Sequence, residues 1–431
     1  ALDDSTVRIT LNQPFPQFLM AITLSYGAIM PIEAAQKYDM NEHMVGTGPY
    51  VLKEANDELI RYERNPNYRA VRLRDVPDGH PLKHFEGARL PLTDQLRYEI
   101  VPEDGDPFQE FLDGKLPTTG MDNDQFVKVM DGEALKAGKQ GDDLLKQEYR
   151  DKGIHLRTYA EPTLHYISFN MNDDVFGTPA GKKGTALRKA VAMCVDRQDY
   201  VDRLLNGRGE PADQLVPPGI LGRADDCRLT NQKHDPAAGR KLLMDAGFTV
   251  TEDDAGWTTR DAKGKQVTLE VCFRSQSGST LEYGEWLEEA VASVGIKLKT
   301  AYLTFPEFLR RQDEGKGQAY DAGWVMDYPD AQNMLQLLYG PNKPPGINSA
   351  SYGSEKYDEL YEKMAVLRED VPEQAEAKRK LIIDMHKRID EDTPWVLMEY
   401  RKIFTLYHEG FLQPPPNPFA CNFTKYTRWD R

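Results

Sequence analysis

VTLEVCF at Val267–Phe273, a helix-forming run from about Leu281 to Val294, Gly295, and then the alternation Ile296, Leu298, Thr300, Tyr302: this stretch decides the fold class. A short run of β-branched and apolar residues bounded by polar turn residues reads as a strand. A helix-forming run closed by glycine reads as a helix with its stop. Strand, helix and strand in that order join two parallel strands by a right-handed crossover, so the segment belongs to a helix-covered α/β sheet.

The flanks extend the pattern. Upstream, Asp235-Pro236 followed by AAGRKLLMDAG supplies an N-cap acid, proline at the first helical position, and Gly247 just past the end. Asp196 caps RQDYVDRLL, which Gly207 stops. Downstream, Phe305-Pro306-Glu307-Phe308-Leu309 starts a short helix. AQNMLQLLYG forms another, capped by Asp330 and closed by Gly340, and a long amphipathic helix is expected from about Val371 to Ile389. The last forty residues return to strand-like runs, WVLMEYRKIFTLYHEG, and a proline-rich tail.

The first 160 residues read as β-rich. GTGPYVLKEANDELIRYERNPNY has the form of a hairpin turning at Asn56-Asp57. Residues 131–153 are charged and weakly periodic, which suggests a solvated helical excursion. The chain opens at ALDDSTVRITLNQPFP with Val7, Ile9 and Leu11 alternating as in a strand. So abrupt a start is expected of a chain from which a presequence was removed or an upstream piece is missing. β-rich, then α/β, then β again suggests two lobes that the chain crosses between more than once.

At 431 residues the chain is too long for one ordinary core, and 40% hydrophobic with 29% charged residues is a globular balance. With 69 acidic against 54 basic residues the net charge is -15, which argues against a nucleic-acid partner. No apolar run is long enough to span a bilayer. Cys194, Cys227, Cys272 and Cys421 fit no zinc spacing. Cys194 reads as a buried apolar residue, and Cys227 and Cys272 are a candidate disulfide for an oxidising compartment.

Catalytic and nucleotide motifs are missing. There is no P-loop, no GxSxG and no HExxH, and GRGEPA at Gly207 fails as a dinucleotide fingerprint at Pro211. His165, beside Tyr166 in an extended run, reads as a satisfied or partly exposed histidine rather than a ligand. Asp321, Asp327 and Asp330 flank Trp324 and Tyr328. Paired carboxylates beside aromatics would suit a glycosidase, but Asp330 reads as a helix N-cap, which leaves Asp327 without a helper. A carboxylate beside Trp and Tyr just before a helix suits binding better, because the rings give flat walls and the acid fixes a cation.

Several segments carry a resemblance. VGTGPY at Val45–Tyr50 with RNPNY at Arg64–Tyr68 resembles the signature of the oligopeptide-, dipeptide- and nickel-binding proteins of ABC importers. HYISFN at His165–Asn170 with LRKAVAMCVDR, GRGEPADQLVPP, DPAAGRKLLMDAGF, and GWVMDYPDAQNMLQLLYGPN at Gly323–Asn342 follow in that family's order, with YDELYEKM and EDTPW after them. The resemblance covers about residue 5 to residue 431. It implies an α/β, two-lobe periplasmic-binding-protein-like fold (type II, cluster C) closing like a hinge near residues 158–163 and 396–401. Lobe one would hold 1–160 and 399–431, and lobe two 161–398. Lobe one would be incomplete, since family members carry a much longer stretch before GTGPY. In a second departure, Gly114-Lys115-Leu116-Pro117 stands where the family usually has an acid.

The function implied is capture of a peptide or similar small solute and its delivery to an inner-membrane ABC permease, by a periplasmic or otherwise extracytoplasmic monomer without catalysis, cofactor or metal. A non-peptide solute (sugar, nickel chelate, opine) is the alternative on the same fold. In similar peptide binders the acid of the GW-x-x-D segment meets the peptide amine, which maps onto Asp327. Trp324 would line a side-chain pocket, with Tyr166, Tyr328 and Phe305 contributing aromatic surface. No basic residue stands just before the Trp, where Asp321 lies, so Arg311 or Arg310 is the candidate partner for a ligand carboxylate.

Overall fold

A computed structural model describes residues 3, 5–40, 43–102, 105–275, 277–414, 417–419 and 423–429. The chain divides into two compact units. One comprises Ala1–Met20 and Ala160–Lys402, the other Ala21–Tyr159 and Ile403–Arg431. The first twenty residues thus group with the α/β portion rather than with the segment that follows them.

In the second unit, β1 (Tyr50–Ala55), β2 (Leu59–Arg64) and β3 (Gln95–Glu99) form an antiparallel sheet in that order. The hairpin turns where the sequence places it. Asn56 Oδ1 accepts the amides of Glu58 and Leu59 at 2.9 and 2.8 Å, a local bond that favours a turn over a continued strand. β4 (Thr118–Thr119) pairs with residues 406 and 407 of the returning tail. Residues 131–153 do more than cover a surface. Their short helices put Ala134, Leu144, Leu145 and Tyr149 into a core with Phe108, Phe111, Phe126 and Leu406. The weak periodicity concealed this because the buried residues come from several short turns, not from one helical stripe. Val7, Ile9 and Leu11 form no strand and stay exposed, with no strand among the described residues paired to them.

The other unit is built on a central sheet. Its strands are β5 (Ile154–Phe169), β6 (Gly209–Pro211), β9 (Thr268–Phe273), β10 (Lys297–Tyr302), β11 (Ala319–Val325) and β12 (Trp395–His408), with the separate hairpin β7 (Thr249–Asp253) and β8 (Gly256–Arg260). Its order is β10-β9-β11-β5-β12, with β6 on β12. β9 and β10 are parallel and joined by the helix Gly278–Ala292, as the deciding stretch requires. Gly295 ends that crossover at φ 73°, and a Cβ there would lie 2.6 Å from the Thr259 amide nitrogen, so only glycine fits. β11 is parallel to β9 and antiparallel to β5. β5 and β12 each run through a unit boundary, between Tyr159 and Ala160 and between Lys402 and Ile403.

The helix signals hold. Asp235 accepts the Ala238 amide at the start of Pro236–Asp245, and Asp196 caps Arg197–Arg203. AQNMLQLL is shorter than one helix, an α-helix at Ala331–Leu335 tightening into a 3₁₀ turn at Gln336–Leu338. The long helix is Pro372–Asp392, and the buried Arg188 closes its C-terminal end by donating to the Asp392 carbonyl at 2.6 and 3.0 Å. Cys194, Cys227 and Cys272 are buried free thiols. The candidate disulfide is therefore not formed. Cys272 lies in β9 with its sulfur accepting from Arg311 Nη1 at 3.4 Å, and Cys227 lies in the separate turn Asp225–Cys227. Cys421 lies outside the described residues. Among the described residues no helix is long and apolar enough to cross a membrane.

Candidate functional site

β11 carries Trp324 near its end, and the chain then turns through Met326, Asp327 and Tyr328 into the Ala331–Leu335 helix. The residue that organises this turn is Asn333, fully buried. Its Oδ1 accepts from Trp324 Nε1 at 2.9 Å and from the Asp327 amide at 3.1 Å. Its Nδ2 donates to Asp327 Oδ2 at 3.1 Å. One side-chain amide thus fixes an indole and a half-buried carboxylate together, which the spacing Trp-x-x-Asp alone cannot do. A carboxylate held in place loses little freedom when it meets a cation.

Asp330 is an N-cap, as expected, with its Oδ1 accepting the Gln332 amide at 2.9 Å. It is also half of a buried ion pair. Oδ2 accepts from Lys378 Nζ at 2.8 Å and from Gln17 Nε2 at 2.9 Å, and the fully buried Lys378 also meets Glu369 at 3.0 Å. This pairing joins residues 48 apart and leaves no local trace in the sequence.

The remaining expected site residues are spread more widely. Tyr166 is 3% exposed and stacks on Trp395 with ring centroids 3.7 Å apart. Its ring is core packing, and burial pushes its phenol pKa up. Tyr328 is buried with its hydroxyl donating to Gln332 Oε1 at 2.6 Å, so it braces the helix start rather than offering a free wall. Phe305 is exposed at the first turn of the helix Phe305–Asp313, where Thr304 and Glu307 form a capping box. Arg311 points at β9, bonding Cys272 and lying 3.9 Å from Glu270. The placements of Tyr166, Tyr328 and Arg311 do not support the contacts expected of them, because packing and local hydrogen bonds already occupy these side chains.

A second group of polar residues gathers on the sheet nearby. β11 pairs with β5 so that Asp321 faces Ile167 and Gly323 faces His165. The imidazole covers Gly323 so closely that a Cβ there would sit 3.0 Å from His165 Nδ1. His165 Nε2 lies 3.9 Å from Glu399 Oε1 on β12, and Arg401 Nη2 is 3.5 Å from the same oxygen. Arg274 follows the C-terminal end of β9 and makes no hydrogen bond or ion pair with any described residue. Tyr200 and Tyr283 come from the helices Arg197–Arg203 and Gly278–Ala292, with ring centroids 5.1 Å apart.

Electrostatics bind this group together. Burial pushes Glu399 up to about 7, with Arg401 opposing and Asp321 reinforcing the shift. Burial likewise raises Asp321 to about 6 against the pull of Arg274 and Arg401. His165 is held neutral, first by burial and then by the two arginines. Sequence reasoning passed over Asn333, Arg274 and Glu399. A lone acid in the apolar run WVLMEY and an arginine at the C-terminal end of a parallel strand were the available signals. A groove of about 270 Å³ lined by Gly222, Arg223, Glu369, Pro372, Ala375, Glu376 and Arg379 involves neither group.

Comparison with known proteins gives one consistent answer. Residues 1–345 match the family model described as bacterial extracellular solute-binding proteins, family 5 middle. Di/tripeptide-binding protein 1 of Pseudomonas aeruginosa is 25% identical over 369 residues, 83% of this chain and 58% of that protein. Heme-binding protein A of Haemophilus influenzae is 23% identical over 425 residues, 96% of this chain and 67% of its own length. The chain thus spans about three fifths to two thirds of these relatives. Among solved structures, the periplasmic binding protein DppA of Helicobacter pylori, in complex with peptide STSA, superposes with a TM-score of 0.72 at 18% identity, over 99% of this chain and 72% of that one. At that identity the likeness establishes the fold, which is the α/β periplasmic-binding-protein class expected.

Proposed function

Because the chain belongs to family 5 of the bacterial extracellular solute-binding proteins, we propose that it captures a short peptide and passes it to an inner-membrane ABC permease. It acts outside the cytoplasm, as a monomer and without catalysis. The observation that carries the peptide reading is the Trp324–Asp327–Asn333 arrangement. A peptide amine arrives charged, and removing it from water is costly unless a carboxylate meets it. Asp327 is that carboxylate, oriented by Asn333, with Trp324 beside it.

For the ligand carboxylate, Arg274 takes the part first expected of Arg311. It is a half-buried guanidinium without an ion-pair partner among the described residues, at the end of a parallel strand where such sheets present their binding residues. The di/tripeptide-binding relative agrees with this reading, and the heme-binding relative marks the family's other solutes.

Calorimetry with a dipeptide and its N-acetylated form tests the assignment. Asp327→Asn or acetylation should each weaken binding at least about a hundredfold, since breaking a buried pair costs about 3–5 kcal/mol and 1.4 kcal/mol is a tenfold change. If both changes leave affinity within about threefold, Asp327 is not the amine anchor and the solute is not a peptide.

A further inference from the structure

We propose that Glu399 and Asp321 form an acceptor site for a second positive charge on the solute, so that the protein prefers peptides whose residue next to the free carboxylate is lysine- or arginine-like. The proposal rests on the peptide reading above and names the class of peptide.

Its basis is what the group around His165 leaves unsatisfied. Glu399 is fully buried, and its Oε1 has Arg401 at 3.5 Å and His165 at 3.9 Å, while its Oε2 has no hydrogen-bond partner. The Tyr283 hydroxyl is also unpartnered, in a side chain 8% exposed. Asp321, Tyr200, Glu399 and Arg274 lie within electrostatic range of it. Buried polar atoms are nearly always bonded, and two orphans on one cluster ask for the same guest.

The guest's charge follows from its neighbours. The groups facing the cluster are Asp321 on β11, Glu399 and Arg401 on β12, Arg274 after β9, and His165 on β5, whose burial keeps it neutral. With both acids ionised, two carboxylates and two guanidiniums cancel. Arg401 is engaged with Glu399, while Arg274 holds no ion-pair partner among the described residues. A solute carboxylate on Arg274 would remove one positive charge from this balance and leave the two acids in excess. An ammonium or guanidinium beside that carboxylate restores neutrality and fills both orphan sites. Glu399 Oε2 and Asp321 accept its N–H groups, and the Tyr283 oxygen accepts a third. The Tyr200 and Tyr283 rings, with Trp286 at 5.3 Å from Tyr200, supply the aromatic surface that favours a cation. A neutral side chain would leave these acceptors desolvated and unpaired, which is how a polar site rejects the analogue lacking the group.

Calorimetry on the full chain with Ala-Lys, Ala-norleucine and cadaverine tests this, using the unsubstituted protein, Glu399→Gln and Asp321→Asn. Ala-Lys should bind at least about 30-fold tighter than Ala-norleucine, as expected for a buried charge pair, and either substitution should shrink that ratio to within about threefold. Equal affinities for the two peptides, unchanged by Glu399→Gln, overturn the inference and leave the peptide reading standing. Binding of cadaverine with loss on Glu399→Gln, but of neither peptide, upholds the cation site and overturns the peptide reading. If none of the three probes binds, both fall.

Discussion

Glu399→Gln should make the protein more stable above neutral pH and no more stable in mild acid. Glu399 lies in the sheet with no solvent exposure, and burial lifts its carboxyl from the ordinary 4.5 up to about 7. Between those two values the folded chain holds the proton more tightly than the unfolded chain. The unfolded state therefore binds fewer protons there, and stability falls as pH rises through that window. A shift of about 2.5 units corresponds to about 3 kcal/mol lost by pH 8 relative to pH 4. Glutamine keeps the shape and the Oε1 acceptor for Arg401 but carries no charge to desolvate. Urea unfolding followed by tryptophan fluorescence reports on the right unit, because Trp257, Trp286, Trp324 and Trp395 all lie between residues 160 and 402. The variant should gain about 3 kcal/mol over the parent at pH 8, and the gain should vanish near pH 4.5. An equal difference at both pH values would refute the argument, since it would mean that Glu399 does not titrate in that window.

Asp330→Asn should cost about 2 kcal/mol of stability, although asparagine caps a helix as well as aspartate does, because it takes from the buried Lys378 one of its two carboxylates and leaves it with Glu369. A variant within about 1 kcal/mol of the parent in urea unfolding would show that the pair is not desolvated. Gly295→Ala should destabilise by more than the ~1 kcal/mol that a glycine-to-alanine backbone effect alone can give, since the new Cβ meets the Thr259 backbone. A thermal midpoint unchanged from the parent would argue that the crossover can shift to admit it.

The fold was legible in the sequence wherever the cause was local. Caps such as Asp196 and Asp235, the glycine stop at Gly295, and the Asn56 turn each act within a few residues and leave a readable mark. The proposed amine anchor could be named from Trp324 and Asp327, but not the amide of Asn333 that holds them. The double duty of Asp330 needed Lys378, and the setting of Glu399 needed three strands side by side. Tyr166 shows the converse. An aromatic residue in an extended run can face a ligand or the core, and only the stack on Trp395 tells which.

The route of the chain through its two units has a consequence for how it matures. Residues 1–20 wait for Ala160–Lys402, and Ala21–Tyr159 wait for Ile403–Arg431. Neither unit has all of its residues until its second, later segment has been made. Loop-closure entropy has to be met before these distant contacts reward it, so folding is slow and comes late.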